Sequence, residues 1–410
     1  MRARLAVGLT TRGALGGHRA GWRRRSPAAA VAVAVAAATA FPVPLYARTP
    51  VAPASQVTIT EFPLAEGSRP TRPVVGPDGA LWFTQLGGFC AQGPGNKIGR
   101  VTPGGEVTEY PVPWPDAYPA GLTAGPDGAL WFGAQGINAV GRLTPDGQFA
   151  RFPVLTAVPT PLQGCVRETS RPAEGGMAVG PDGALWFGQS SGNTIGRITP
   201  AGEVTEYPVP TPDSGPLGIT AGPDGAVWFV ERPVGKIGRI TPDGTIAELP
   251  LPDPDSVPNV IVPGPDGALW FTELRADKIG RLTPDGALTE FPVPGVGPVG
   301  AAFTGDGALW VTGFTSNELV RLTTDGRITA RYPIPTPESG ATGLTAGPDG
   351  TLWFSQQAGH KIGRLALGPA PAGGPASLPP RPPLPPLARA LPRTGAAEAP
   401  PEAAPRRGAS

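Results

Sequence analysis

Cysteine and histidine are nearly missing from this 410-residue chain, which has only two of each. A zinc site built from Cys and His needs three or four such ligands, so it is effectively excluded. A catalytic triad or a His-activated Cys could draw only on His18 or His360. Charge is also sparse and balanced, with 33 basic and 32 acidic residues. The chain therefore lacks the basic field of a nucleic-acid-binding protein.

Long hydrophobic runs are absent as well, apart from one of about 14 residues between positions 28 and 41. That run is shorter than the ~20 residues a membrane-spanning helix needs. Seven Arg and no acidic residue precede it in residues 1–25, and small residues follow it. This order is typical of a secretory signal. We therefore expect residues 1–47 to be a signal peptide and the remainder to be an exported, monomeric protein without a membrane span.

Glycine and proline, in contrast, are abundant, at 60 and 57 residues. Most of them fall at fixed positions in a repeat of about 42 residues, each unit having four short β-like runs separated by turn residues. Seven tryptophans mark the units: Trp82, Trp131, Trp186, Trp228, Trp270, Trp310 and Trp353. Four strands per unit, seven times over, predict an all-β fold, a seven-bladed β-propeller over residues 48–367.

The order of the β-like runs predicts how the ring closes. The run that ends a unit first occurs at Thr60–Pro63, before the first Trp run, and none follows Arg364. The N-terminal strand should therefore complete the last blade, which pairs both ends of the chain and removes open sheet edges.

The C-terminal residues 368–410 are mostly Pro, Ala, Gly and Arg. Such a segment cannot bury a core, so we expect a disordered tail of extended polyproline II character. Within it, Leu391–Gly395 reads LPRTG and resembles a sortase anchoring signal, which would leave the protein associated with a cell wall. Because residues 396–404 lack the apolar run such a signal needs, we favour a chance match.

Polar residues at the ends of the Trp runs and the starts of the first runs should meet at one face, around the central channel. We interpret them as a channel-mouth site for a small molecule or a cell-surface partner, or as a mouth that holds only water. Glu231 and Glu273 are the candidate ligands of Mg²⁺ or Ca²⁺. The candidate residues are Gln85, Gln189, Glu231, Arg232, Asn259, Glu273, Arg275, Gln356 and Gln357.

Two further pairings are expected from the repeat and its insertions. Cys90 and Cys165 lie in insertions on the mouth face, and export to an oxidising setting predicts a disulfide between them. The arginines of the repeated Gly-Arg motif should lie opposite the glutamates of the outer strand as cross-strand ion pairs. These glutamates are Glu61, Glu109, Glu206, Glu248 and Glu290.

Three motifs resemble those of the virginiamycin B lyase (streptogramin lyase) family: Asn96–Arg100 (NKIGR), Trp270–Glu273 (WFTE) and Thr289–Pro294 (TEFPVP). The resemblance covers roughly residues 56–367. It implies a seven-bladed propeller that uses Mg²⁺ and opens the ring of type B streptogramin antibiotics by elimination across an ester bond.

The resemblance also implies where the family's functional residues would fall. Its essential histidines correspond to Val299 and Thr342, and its metal-binding glutamates to Gln357 and a position near Gly340, with Glu338 out of register. The equivalent positions of the other units are Thr71, Ala120, Gly175, Leu217 and Asn259. Elimination needs a base to remove a proton, and none of these histidine positions holds a His in this chain. We therefore expect a binding module, with a carbon–oxygen lyase, esterase or lactonase acting on a cyclic ester as the alternative.

Overall fold

The computed structural model describes residues 57–87, 95–156 and 172–366. The proposed signal peptide, the Pro-rich tail with Leu391–Gly395, and both members of the Cys90–Cys165 pair lie outside these ranges. The described part of the chain contains no helix with the length and apolarity to cross a membrane.

The described residues form seven antiparallel sheets of four strands, which confirms the all-β, seven-bladed propeller. The chain begins with β1 (Thr58–Pro63). Blade 1 then holds β2 (Val74–Val75), β3 (Leu81–Gln85), β4 (Lys97–Val101) and β5 (Val107–Pro111). Blade 2 holds β6 (Pro119–Ala124), β7 (Leu130–Ala134), β8 (Ala139–Leu143) and β9 (Phe149–Pro153). Blade 3 holds β10 (Pro172–Val179), β11 (Leu185–Gln189), β12 (Thr194–Ile198) and β13 (Val204–Pro208).

The remaining blades continue the same order. Blade 4 holds β14 (Pro216–Ala221), β15 (Val227–Glu231), β16 (Lys236–Ile240) and β17 (Ile246–Pro250). Blade 5 holds β18 (Pro258–Pro263), β19 (Leu269–Glu273), β20 (Lys278–Leu282) and β21 (Leu288–Pro292). Blade 6 holds β22 (Pro298–Phe303), β23 (Leu309–Gly313), β24 (Glu318–Leu322) and β25 (Ile328–Pro333). Blade 7 holds β26 (Ala341–Ala346), β27 (Leu352–Gln356) and β28 (Lys361–Ala366). Short 3₁₀ turns follow β7 (Gln135–Ile137) and β15 (Arg232–Val234).

Strand β1 completes blade 7, as the order of the runs predicted. It pairs antiparallel with β28, from Thr58 opposite Ala366 to Pro63 opposite Lys361. Glu61 accepts hydrogen bonds from Lys361 Nζ at 2.7 Å and from Gln356 Nε2 at 3.0 Å. The two ends of the propeller are thus joined by backbone pairing and by a partly buried side-chain network.

Adjacent blades pack through a repeated aromatic contact. The Trp face of one blade lies on the Phe face of the next, as where Trp228 of blade 4 meets Phe271 of blade 5. The contact between Trp353 and Phe83 closes the ring between blades 7 and 1. Full burial of one such ring contributes roughly 2–3 kcal/mol. The core is therefore seven similar layers between blades, arranged around the channel.

A glycine lies opposite the Phe in six of the seven blades. In blade 5, Gly280 of β20 is paired with Phe271 of β19, and a Cβ placed on Gly280 would lie 2.0 Å from the Phe271 ring. The aromatic ring thus occupies the space of the missing side chain. In blade 6 a pair of valines replaces the Phe–Gly pair, with Val320 opposite Val311.

The arginines of the Gly-Arg motif do not pair with the outer-strand glutamates, so that prediction is wrong. Arg281 Nε donates to Asp266 Oδ2 at 2.7 Å, and Trp270 Nε1 donates to Asp266 Oδ1 at 3.1 Å. The reason is strand alternation, which puts Arg281 opposite Thr289 and turns Glu290 to the other face. Equivalent aspartates in blades 1 to 4 are Asp78, Asp127, Asp182 and Asp224.

Four of the five glutamates on that other face pair with lysines instead, while Glu206 accepts from the Leu155 backbone N–H and the Thr156 hydroxyl. Lys278 Nζ donates to Glu290 Oε2 at 2.7 Å, and Lys97 Nζ to Glu109 Oε2 at 2.6 Å.

Burial alone would raise the pKa of Asp266, but the hydrogen bonds from Arg281 and Trp270 hold it below its ordinary value. Asp266 is therefore an ionised acceptor at neutral pH.

Replacing Asp266 by Ala should lower the free energy of unfolding at pH 7 by about 1–3 kcal/mol, because the Trp270 indole N–H and the Arg281 guanidinium lose the carboxylate that accepts their hydrogen bonds. Urea titration followed by Trp fluorescence measures the change. Asp285→Ala is the matched control, since Asp285 is a turn residue bonded to the Thr283 hydroxyl. Equal losses in the two variants would contradict a special role for Asp266.

Candidate functional site

A cavity of about 430 Å³ opens at one end of the channel, where the first strands of the blades begin. Two positions in each of six blades build most of its described wall, one at or just before the start of the first strand and one directly after the second strand. The first set is Thr71, Ala120, Leu217, Asn259, Val299 and Thr342, and the second is Leu86, Gln135, Arg232, Leu274, Phe314 and Gln357. Arg69 and Arg72 of blade 1 complete the described lining.

A β-bulge places the first of these positions in the wall. In blade 5, Pro258 is paired with Glu273 and Ile261 with Phe271, so the first strand has one extra residue over this stretch. Bulges of this kind bend a strand and redirect its side chains. The same register shift occurs at the start of the first strand in blades 4, 6 and 7. It explains why Asn259, Val299 and their equivalents line the cavity.

Three of the nine candidate residues, Arg232, Asn259 and Gln357, lie in the cavity wall. Arg275 is exposed and lies outside the described lining. The other five are fully buried inside the blades rather than at the mouth: Gln85, Gln189, Glu231, Glu273 and Gln356.

Strand alternation is the reason for this difference. Gln85 comes two residues after Phe83 and shares its face, which packs against the neighbouring blade. The next residue along the chain reaches the cavity. Counting alternation from Phe132 would have found Gln135, and counting from Val311 would have found Phe314. No sequence signal singled out Arg69 or Arg72.

Arg72 extends across the channel from blade 1. Its guanidinium donates to the main-chain carbonyl of Gly175 in blade 3 and lies 3.4 Å from the carbonyl oxygen of Asn259 in blade 5. The Asn259 Oδ1 atom is 3.5 Å away. Arg72 also lines a second cavity of about 390 Å³ farther along the channel. The guanidinium therefore forms the floor of the mouth cavity.

Glu231 and Glu273 lie in a buried polar layer behind the cavity. In blades 1, 3 and 7 this position holds glutamine, and Gln85 Nε2 donates to Glu109 Oε1 at 2.8 Å. Glu231 has no N–H to donate, and neither of its carboxyl oxygens has a hydrogen-bond partner among the described residues. Burial, with a smaller contribution from the Glu248 charge, raises the pKa of Glu231 to about 8.

Glu273 has the same environment in blade 5. Burial is the main cause that raises its pKa to about 7, and the Glu290 charge adds to it. A protonated carboxyl can donate a hydrogen bond as the glutamine amide does. Both residues therefore behave as neutral, glutamine-like groups below these pKa values.

The residues at the mouth do not fit a Mg²⁺ ion. Mg²⁺ prefers oxygen ligands and is usually held by carboxylates. The described lining has three Arg and no Asp, Glu or His. Glu231 and Glu273 are outside this lining, in different blades. Across the described ranges no group of three or more His, Cys, Asp or Glu could hold a metal ion.

Comparison with known proteins gives one family over most of the propeller. The model of the Virginiamycin B lyase family matches residues 51–169 and 165–369. The crystal structure of virginiamycin B lyase from Staphylococcus aureus is 35% identical, with a TM-score of 0.66, over 76% of this chain and 100% of that one. A catalytically inactive His-to-Ala variant of the same protein, crystallised with quinupristin, is 34% identical over the same shares.

Curated relatives match over shorter segments. Virginiamycin B lyase from Bordetella pertussis is 52% identical over 44 residues, which is 11% of this chain and 15% of that protein. The protein from Bordetella parapertussis is 40% identical over 70 residues, or 21% of its length. These matches cover only a small part of each relative.

Proposed function

Because the chain belongs to the Virginiamycin B lyase family, we propose that it keeps the family's propeller as a scaffold that binds a small molecule at the channel mouth, without the family's lyase chemistry. One observation carries this proposal. The described lining has no His, Asp or Glu that could act as a base. Val299 and Thr342 stand where the family resemblance would place histidines.

The cavity itself supports binding. Small-molecule sites commonly have volumes of roughly 300–1,000 Å³ and combine apolar walls with a few polar groups. The mouth cavity, at about 430 Å³, has Leu, Val and Phe beside Arg, Asn and Gln. We propose that this site acts outside the cytoplasm, as the N-terminal segment indicates, and that the protein works as a monomer. A cell-surface partner at the same mouth is the other ligand class.

Lyase activity is the alternative function. The observation that favours it is the 35% identity to the Staphylococcus aureus lyase over the whole of that chain. A base supplied by the substrate, or by a residue outside the described ranges, would then carry the chemistry. An esterase or lactonase acting on a cyclic ester is the related possibility.

The test is to incubate the purified protein with a type B streptogramin and Mg²⁺ and to follow the substrate by chromatography and mass spectrometry. We expect unchanged substrate, while a family lyase run alongside consumes it. A shifted peak of unchanged mass would mean ring opening by elimination and would refute the proposed loss of activity. A product heavier by one water would indicate hydrolysis and would also refute it.

A further inference from the structure

We propose that a groove between blades 1 and 2 binds the proline-rich segment Leu378–Pro386 of the same chain. The groove lies on the face of the Pro-Asp-Gly turns, at the opposite end of the channel from the mouth cavity. The segment itself lies outside the described ranges. The inference concerns a second surface of the propeller and does not depend on the proposed function.

The groove has a volume of about 430 Å³ and aromatic side chains on one side. Trp82 and Tyr110 of blade 1 line that side and stack with their ring centroids 5.3 Å apart. Leu143 and the exposed Pro145 of blade 2 line the other side. Aromatic-lined grooves typically bind Pro-rich segments in the polyproline II conformation. A Tyr hydroxyl can also donate a hydrogen bond to a main-chain carbonyl of such a segment.

The groove is open because one aromatic contact of the repeat is missing at this interface. Between blades 3 and 4, the ring of Tyr207 fills the space over Gly244, where a Cβ would lie 2.3 Å from the ring. The same contact is made between blades 2 and 3, between blades 5 and 6, and between blades 7 and 1. At the equivalent Gly147, a Cβ would meet no atom of the described residues within 4 Å. Tyr110 therefore leaves the turn of blade 2 uncovered, and the space beside its ring can hold a ligand.

The segment Leu378–Pro386 reads LPPRPPLPP and has proline at six of its nine positions. Proline fixes φ near about −65° and so favours the polyproline II helix, which has three residues per turn. Residues three apart lie on one face of this helix, and the six prolines therefore form two continuous ridges. The ridges consist of Pro379, Pro382 and Pro385, and of Pro380, Pro383 and Pro386. Because the helix is preformed, ordering it in a groove costs little conformational entropy.

The end of the propeller brings this segment close to the groove. Strand β28 ends at Ala366 on the turn face, beside the first residues of β27. Arg364 Nη1 lies 3.4 Å from the carbonyl oxygen of Pro103, so blade 7 contacts blade 1 at this face. The far side of blade 1 is then roughly 10–15 Å away, since packed sheets are ~10 Å apart. Residues 367–377 can span about 30 Å when extended at ~3.1 Å per residue, which is enough to reach the groove.

The experiment uses the full chain with its tail either intact or altered. The tail variant carries six substitutions: Pro379→Ser, Pro380→Ser, Pro382→Ser, Pro383→Ser, Pro385→Ser and Pro386→Ser. The probe is a fluorophore-labelled peptide of residues 377–388, followed by fluorescence anisotropy. We expect saturable binding of the peptide to one site on the tail variant and at least tenfold weaker binding to the parent. The reason is competition, because a tethered segment has an effective concentration on the order of 1 mM.

Further substitutions in the tail variant test where the peptide binds. Tyr110→Ala should weaken peptide binding at least tenfold. Tyr207→Ala is the matched control, because Tyr207 stacks on Trp186 in the same way but lies at a closed interface, so binding should stay within twofold. Pro145→Glu changes an exposed groove residue and should also weaken binding at least tenfold, which separates the groove from any packing defect caused by Tyr110→Ala.

Three results would overturn the proposal. Equal affinity of the peptide for the parent and the tail variant would mean that the chain's own segment does not occupy the groove. Absence of binding to both proteins, or equal losses in the Tyr110 and Tyr207 variants, would overturn the groove as the site. A parent that is dimeric by light scattering beside a monomeric tail variant would assign the groove to the tail of a second copy.

Discussion

Replacing Gly280 by Val is expected to lower the free energy of unfolding by about 3 kcal/mol, the upper end of the typical cost of overpacking a protein core. A Cβ at this position would lie 2.0 Å from the ring of Phe271, which is fully buried against the neighbouring blade. The ring has no free space to move into, because Trp228 packs on its far side. Urea unfolding at 25 °C measures the loss.

Gly280→Val should be tolerated when the Phe271 ring is removed in the same variant. Phe271→Val alone leaves a cavity and should cost about 2–4 kcal/mol. The double variant reproduces the pair found in blade 6, Val311 opposite Val320. We therefore expect it to recover about 2 kcal/mol or more relative to the sum of the single variants.

Additive losses in the two substitutions would contradict this account of the Phe–Gly pair. Gly305→Val is the matched control, because a Cβ at Gly305 meets no atom of the described residues within 4 Å. Its free energy of unfolding should change by less than about 1 kcal/mol. A large loss at Gly305 would mean that Val disturbs the strands and turns for reasons other than the ring.

Glu231→Gln is expected to stabilise the protein at alkaline pH by on the order of 2–4 kcal/mol. Below pH 4.5, the ordinary pKa of Glu, the carboxyl is protonated in both the folded and unfolded chains. Its ionisation then does not affect the free energy of unfolding. Between pH 4.5 and about 8 it ionises only in the unfolded chain, so the free energy of unfolding falls as pH rises. The amide of glutamine removes this dependence and restores a donor to Glu248.

Urea unfolding at pH 4.5, 7 and 9 distinguishes this effect from a general gain. The Gln variant should match the parent at pH 4.5 and exceed it at pH 9. Glu273→Gln should behave alike but reach its full gain at lower pH, since burial raises that pKa only to about 7. A gain of the same size at every pH would contradict the assignment to ionisation.

Blade 1 offers the converse experiment. Gln85→Glu puts a carboxyl next to Glu109, where the amide now donates a hydrogen bond at 2.8 Å. We expect this variant to lose stability at pH 9 and to resemble the parent at pH 4.5. Equal stability at both values would show that the buried polar layer accommodates charge without cost.

The sequence predicted the fold more completely than the site. Seven Trp units, and a β1-like run before the first of them, were enough to predict seven blades and the closure of the ring. The site depends on which face each side chain occupies, and a shift of one residue reverses that face. Gln85 and Glu273 were therefore expected at the mouth, although both point into the blades.

Contacts across the channel could not be predicted from the repeat. Arg72 reaches Gly175 and Asn259, which are 103 and 187 residues away in sequence. Its position depends on the geometry of the whole ring, and no local pattern encodes that. The arginine partners were missed for a related reason, since Asp266 and Glu290 are both near Arg281 in the sheet and only the face decides between them.

The joining of β1 to β28 has a consequence for biosynthesis. Glu61 leaves the ribosome 300 residues before its partner Lys361. At roughly 5–20 residues per second, the first strand waits about 15–60 s for the last one. During this time blades 1 to 6 can assemble, while β1 remains an open edge. Its alternation of Thr and Glu with apolar residues limits the wrong pairing that such an edge invites. The synthesis of β28 thus decides when the ring is complete.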